Sequence, residues 1–390
     1  MRVGIITTFR QPNWGSVLQA YALEKVIEQM NYDVEVIDYK YPNEFHWQRG
    51  IKWGKNPNTL KAKLHKIKVY FLYMFKLRSK PMMKLLNSFI KKNMKLSRHI
   101  DSYQSLHENP PIYDIYVSGS DQIWNPNTML GDMSYMFDFV PNGNKKISYA
   151  SSFSCVSIPN SLKDIYKNHL STYNALSVRE NNGQNIIHQL IGRDAKVVLD
   201  PTLLLSKEHW EKLAEKAKKT DLPKAYILCY MLAYTFSADE PMGKLLEMVQ
   251  GKYNMPVIAL KTMPQSFHGN IFQLPVSYSK GIEEFLYLIN NASIVVSSSF
   301  HGTAFSLNLG KPLVAMGAMN EDDRVLSLLK NLGMKNQFVY AEKLQESSIN
   351  PFYDVENEQK KMEELRFDSL SFLRNSLKDC EHSNLKLYNF

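Results

Sequence analysis

The chain has 390 residues, 44% of them hydrophobic and 22% charged, with 17 Gly and 17 Pro. This is ordinary globular composition, long enough for two or three domains at about 150 residues each, and it excludes a disordered, collagen-like or disulfide-stapled protein. The three cysteines, Cys155, Cys229 and Cys380, are too scattered for a cysteine-rich zinc site and fit a reducing cytosol, and the net charge is +9.

Val3 to Thr7 is a short apolar, β-branched run that reads as a first buried strand, not as an export signal. Ser16 to Met30 has helical spacing through Leu18, Ala22, Leu23 and Ile27, and Val34 to Ile37 reads as a second strand. Between them and the rest of the first half lies a basic segment. Arg49 to Arg98 holds 15 Lys and Arg and no Asp or Glu, so without it the chain's +9 would become −6. Trp47 and Trp53 stand at its entry, and it carries the cluster Tyr70, Phe71, Tyr73 and Phe75, with apolar residues at helical spacing from Leu64 to Phe75. Three readings stay open: a helical excursion packed on its own domain with solvated lysines, a helix lying on an anionic membrane, or a nucleic-acid surface. The chain lacks any nucleic-acid-binding signature, which argues against the last. The longest apolar run there, Val69 to Phe75, is far short of the ~20 residues of a membrane span, so the protein is expected to be soluble or peripheral.

Strand and helix signals then alternate. Ile112 to Val117 is a strand ending in Ser118-Gly119-Ser120, and Lys146 to Tyr149 is another, followed by a helix from about Ser161 to Tyr173. Ala175 to Val178 and Lys196 to Leu199 are short strands around a helix from Gln184 to Ile191. After a break at Asp200-Pro201-Thr202 the pattern restarts, with strands at Ala225 to Met231, Val257 to Leu260, Ser293 to Val296 and Leu313 to Met316. Helices at Glu240 to Gln250, Gly281 to Asn290 and Gly302 to Leu309 separate them, and a polar helix spans about Glu356 to Leu377. Alternating strands and helices predict parallel sheets covered on both faces, in two α/β halves that meet near residue 200 across a cleft. Ligands of such sheets bind beyond the carboxyl ends of the strands, so the chemistry is expected in the loops that follow strands. No phosphate loop, dinucleotide fingerprint, HExxH or GxSxG is present, and nothing points to a metal or a resident cofactor.

Ser297-Ser298-Ser299-Phe300-His301-Gly302-Thr303 joins a strand to a helix. Backbone N–H groups at such a helix start favour an anion, Gly302 would admit it, and His301 could exchange a proton beside it; the bland alternative is a capping loop with a buried histidine. Lys311 in Gly310-Lys311-Pro312 is a second candidate cation, or a solvated lysine in a turn. Arg324, opening a helix after a run of acidic residues, is a third, and Arg179 after the strand ending at Val178 could grip a carboxylate or phosphate bidentately. Asp121 and Gln122 could bind sugar hydroxyls with Trp124 as a stacking face, or form a hydrogen-bonded turn. Asn13-Trp14-Gly15-Ser16 could line the cleft or cap the first long helix.

Taken together, the ordered set resembles the polysaccharide pyruvyl transferase family. Its pieces are residues 13–20, Gly119 to Asn125, Ser177 to Glu180, Asp200-Pro201-Thr202, Ser299 to Gly302, Gly310 to Pro312 and Arg324. The resemblance implies two Rossmann-like domains in a GT-B-like arrangement: 1–203 on the acceptor side, 204–350 on the donor side, and a helix in 351–390 crossing back to the first. It implies transfer of the pyruvyl group of phosphoenolpyruvate, a co-substrate and not a cofactor, to two hydroxyls of a sugar, with phosphate released. The acceptor would be a cell-surface polysaccharide residue or its lipid-linked precursor. By that resemblance His301 is the acid/base. Arg179, Lys311, Ser299, Gly302, Thr303 and Arg324 bind the donor, and Asn13, Asp121, Gln122 and Trp124 face the acceptor, with no metal. Some relatives carry an Arg where this chain has Ser299, and Arg324 is the candidate replacement. The expected location is the cytoplasm, at the inner face of the membrane if residues 49–98 dock there, with no nucleic-acid partner. The alternatives are a GT-B glycosyltransferase using a nucleotide sugar and a non-catalytic glycan- or membrane-binding relative.

Overall fold

A computed structural model describes residues 1–41, 81–232, 238–318, 323–345 and 349–378. The chain forms two parallel α/β sheets. In the first, β1 (Arg2–Ile6), β2 (Asp33–Val36), β3 (Ile115–Ser118) and β4 (Lys145–Ser148) lie in the order β2-β1-β3-β4. The short pair β5 (Ser177–Val178) and β6 (Lys196–Val197) continues beside it through parallel bridges Ile147 to Ala175 and Ser151 to Val178. The second sheet contains β7 (Ile227–Tyr230), β8 (Val257–Ala259), β9 (Ile294–Ser297), β10 (Leu313–Gly317) and β11 (Phe338–Tyr340), in the order β11-β10-β9-β7-β8. All four residues of each of β3, β7 and β9 are buried, as expected where helices cover both faces of a parallel sheet.

Both sheets reverse direction of growth next to their first strand, between β1 and β3 and between β7 and β9. Such reversals open a crevice at the carboxyl ends of the strands. One helix starts at each. Trp14–Gln29 follows β1 and buries 13 of its 16 residues; Phe300–Asn308 follows β9 and buries all nine. Helices apolar on every side belong between layers. Here they join the two halves: Trp14 stacks on Phe285 with centroids 5.3 Å apart, and Trp210 meets Tyr21 at 6.1 Å and Phe305 at 5.1 Å. One continuous apolar core therefore runs from Val3 to Leu313 across both sheets.

The helix Val355–Leu377 touches both halves. Gln359 Nε2 donates to Leu307 O (3.2 Å), Arg366 Nε to Leu203 O (2.7 Å), and Leu199 N to Ser369 Oγ (2.9 Å). From the basic segment, the helix Pro81–Asn93 buries Leu86, Phe89 and Ile90 on the first half and leaves Lys84, Lys91 and Lys92 in solvent. Residues 49–80, with the expected aromatic cluster, lie outside the described residues. Among the described residues no helix is long and apolar enough to cross a membrane.

Glu358 sits in the first turn of the last helix, 2% exposed, and its Oε1 has no hydrogen-bond partner. Burial raises its carboxyl from the ordinary 4.5 to about 7, against partial relief from Gln359 and Arg366. A carboxyl raised on folding costs no stability below the unfolded value. It costs progressively more as pH climbs to the folded one, on the order of 3 kcal/mol for this shift. Glu358→Gln should therefore raise the unfolding free energy at pH 8 and leave it nearly unchanged at pH 4, measured by urea denaturation. Equal effects at the two pH values would contradict the burial.

Candidate functional site

Four loops that follow strands converge between the halves. After β3, Asp121 adopts φ 76°, a left-handed conformation uncommon for a non-glycine residue. Its Oδ1 accepts from Gln122 N (2.9 Å) and its Oδ2 from Ser16 Oγ (2.6 Å). After β5, Arg179 is buried, and its Nη1 donates to Asp200 Oδ2 at 2.8 Å while Nη2 lies 3.7 Å from Asp121 Oδ1. After β6, Asp200 is held on both oxygens: Oδ1 by Thr202 N (3.0 Å) and Oγ1 (2.8 Å), Oδ2 by Ser120 Oγ (2.6 Å) and Arg179. After β9, His301 enters from the other half with Nε2 3.8 Å from Asp200 Oδ2, an ion-pair separation longer than a hydrogen bond.

The electrostatics follow from this enclosure. Burial by itself would raise the Asp200 carboxyl, but His301, Arg179 and Ser120 outweigh it and hold it well below the usual range. Asp121 is likewise pushed up by burial and brought lower by Arg179, His301, Ser16 and Arg324. Both groups are carboxylates at neutral pH. Arg179 also lies with its guanidinium carbon 4.2 Å from the Phe300 ring centroid, a cation–π contact on its remaining face.

A cleft of about 620 Å³ opens above this cluster. Asn13, Ser16, Asp121 and Gln122 line it from the first half; Lys261, Ser298, Asp323 and Arg324 line it from the second. Arg324 opens the helix Arg324–Asn331, capped by Asp323 Oδ1, which accepts from Val325 N (2.7 Å) and Leu326 N (3.2 Å). With the Gln122 amide oxygen turned towards it, Arg324 donates from both Nη1 and Nη2 at 3.0 Å. His301 does not line the cleft: the Asn13–Ser16 turn stands over it, so close that a Cβ on Gly15 would lie 2.2 Å from the ring Cγ and Nδ1.

Three expectations need correction. Lys311 precedes β10 and so lies at the amino end of the sheet, opposite the cleft; burial and Lys207 lower its pKa while Glu211 raises it. Trp124 offers no stacking face: it is fully buried against Phe153 and Tyr173, and its Nε1 donates to Tyr135 O. Gly302 does not open the backbone to an anion. Its N–H is taken by Ser299 Oγ at 3.2 Å, and a Cβ there would fall 2.3 Å from Ser297 Oγ, so close packing is what requires glycine. Ser299 is thus a helix cap. Thr303 N bonds back to Ser299 O, with Thr303 Oγ1 buried and unpartnered. Asn13 caps the first helix by accepting from Gly15 N, and it also reaches the cleft. Lys261 carries no signal in the sequence, whereas Ser16 stands in the loop read as lining the cleft or capping the helix, and Ser120 and Asp200 stand in the quoted motifs without a role, although Asp200 follows a predicted strand.

Two parallel sheets closing on a cleft at their strand ends, with polar side chains from both, define a GT-B architecture. In that class, the UDP-GlcNAc 2-epimerase of Methanocaldococcus jannaschii in complex with UDP-GlcNAc and UDP is 13% identical, with a TM-score of 0.50 over 94% of this chain and 100% of that one. The S. aureus MnaA-UDP co-structure is 11% identical, with a TM-score of 0.50 over 97% and 92%. Identities this low establish the fold alone. The family model described as Polysaccharide pyruvyl transferase matches residues 13–318, and the chain belongs to that family. No curated protein matches it in sequence.

The contact at Gly15 generates a test. Gly15→Ala forces a methyl into the His301 ring across the junction of the halves, and overpacking of this kind costs about 1–3 kcal/mol. The midpoint of urea denaturation should fall accordingly. An unchanged midpoint would mean that the turn does not seat on the imidazole in solution.

Proposed function

We propose that the protein transfers the pyruvyl group of phosphoenolpyruvate to two hydroxyls of one sugar, forming a cyclic ketal and releasing phosphate. The observation that carries this reading is the meeting of His301, two carboxylates and two arginines at the facing strand ends of a chain in this family. The donor carries a carboxylate and a phosphate, which call for cations and hydrogen-bond donors at the cleft. Arg324 and Lys261 line it and take this role in place of Lys311, while Arg179 acts from beneath, matched by Asp200. Asn13, Asp121 and Gln122 face the sugar; Asp121, kept ionised, accepts a hydrogen bond from a hydroxyl.

The reaction balances with one imidazole. His301, protonated, gives its proton to the methylene carbon of the enol ester, which becomes the methyl group. The neighbouring carbon turns electrophilic and bonds to the first sugar oxygen, whose proton returns to the imidazole. The second hydroxyl then displaces phosphate, and its proton leaves with the phosphate. General acid–base help of this kind is worth about 10²–10⁴-fold. Because the Asn13–Ser16 turn covers the imidazole, the turn must withdraw from the ring for the donor to reach it.

His301→Ala should abolish sugar-dependent phosphate release while leaving the folded circular dichroism spectrum unchanged. Arg324→Met should raise the KM for phosphoenolpyruvate on the order of 10- to 100-fold, the loss of a charge-assisted contact. Lys311→Ala should leave both constants within about twofold, since a group across the sheet adds no binding energy. Full turnover by His301→Ala would overturn the assigned role. Thermal stabilisation by a UDP-sugar and none by phosphoenolpyruvate would favour a glycosyltransferase instead.

A further inference from the structure

We propose that Asp200 is a positioning residue for His301, fixing the imidazole with its proton on Nε2 and leaving Nδ1 to exchange protons with the substrate. The placement of the two ring nitrogens carries this. Nε2 is buried, has no hydrogen-bond partner, and lies 3.8 Å from Asp200 Oδ2. Nδ1 is on the edge that meets Gly15, the side from which the cleft is reached past the Asn13–Ser16 turn. A bare Nε2 lone pair facing a carboxylate is repelled, whereas an N–H in that position is attracted, so the charge on Asp200 selects the tautomer.

Asp200 is suited to this because it is ionised and cannot turn. Thr202 holds Oδ1 through two donors, and Ser120 and Arg179 hold Oδ2. Those two donors already occupy the lone pairs of Oδ2. The imidazole is therefore held by charge at a distance, a separation of the kind that tightens when substrate binds. The other charged groups facing the ring are Asp121, from the loop after β3, and Arg179, from the loop after β5. These two oppose each other, which leaves Asp200 as the group at Nε2.

The kinetic part of the inference rests on the proposed transfer reaction; the tautomer does not. Full-length protein labelled with 15N-histidine would be studied by long-range 1H–15N correlation, with the His301 signals identified by their loss in His301→Ala. The neutral wild-type ring should show the Nε2–H pattern; the Nδ1–H pattern would overturn the proposal without any variant of Asp200. In Asp200→Asn the fixed negative charge that selects the tautomer is lost, whichever way the amide turns, and the share of the Nε2–H form should fall. An Nε2–H share unchanged in a folded Asp200→Asn would also overturn it.

In turnover with phosphoenolpyruvate, Asp200→Asn should lower kcat by about 10²-fold or more, with KM moved less than tenfold. An equal loss through KM, with the tautomer unchanged, would mean that Asp200 serves only to neutralise Arg179. Should Asp200→Asn fail to fold, Thr202→Val removes one donor to Oδ1 and keeps the charge. It should lower kcat several-fold at unchanged KM, and an unaltered kcat would count against the proposal. The Nε2–H pattern in a protein without phosphoenolpyruvate turnover would sink the transfer reaction and leave the positioning role standing.

Discussion

The ion pair between Arg179 and Asp200 organises everything around it. Both groups are almost wholly withdrawn from water, and taking two charges out of water is favourable only when further hydrogen bonds complete them. Ser120 and Thr202 complete the carboxylate, and the Phe300 ring covers a face of the guanidinium. Removing one partner of such a pair typically costs 3–5 kcal/mol, because a lone buried charge is left behind. The loops after β3, β5 and β6 are thereby pinned to one another, and Phe300 and His301 from the opposite half are pinned to them. The Nε and Nη2 atoms of Arg179 still lack hydrogen-bond partners. A buried donor left without a partner is costly and calls for an explanation, of which a bound ligand is one.

Topology explains why the cluster forms where it does. Each sheet reverses beside its first strand, and the two helices that start at these reversals are buried on all sides. They approach so closely that glycine is required at Gly15 against the imidazole, while Gly302 is required for packing on its own sheet, against Ser297 and Tyr230. The glycine that a sequence reader assigns to anion access is thus spent on packing. The helix N-terminus it would have exposed is closed by its own serine cap. The cations at the cleft are side chains instead, with Arg324 aligned by Gln122 across it.

Much of the architecture was legible in the sequence. Short β-branched runs such as Ile115–Ser118 and Ile294–Ser297 are strands because both of their faces are buried, and the loops after them do hold His301, Arg179 and Asp121. The shared rule of looking after strands failed where it was not applied evenly. Lys311 lies before its strand, at the wrong end of the sheet, and Asp200 lies after one but resembled a domain break because a proline follows it. Trp124 shows a different limit. A tryptophan in a polar loop can face a ligand or anchor the loop in the core, and only tertiary packing against Phe153 and Tyr173 decides. Glu358 carried no signal at all, since a glutamate in the first turn of a polar helix reads as exposed.

The same packing brings the two halves together at the site. Arg179, Asp200 and Asp121 belong to the first half and His301 to the second, so the imidazole meets its carboxylates only when the two are together. In that arrangement the Asn13–Ser16 turn packs against the ring, and the imidazole is nearly withdrawn from water. Low-dielectric enclosure strengthens each charge interaction within it and rewards any anion that fits. Two carboxylates and two arginines nearly cancel, so the enclosure has no large charge of its own. A multiply charged anion arriving in the cleft would upset that balance unless Arg324 and Lys261 at its wall met the charge.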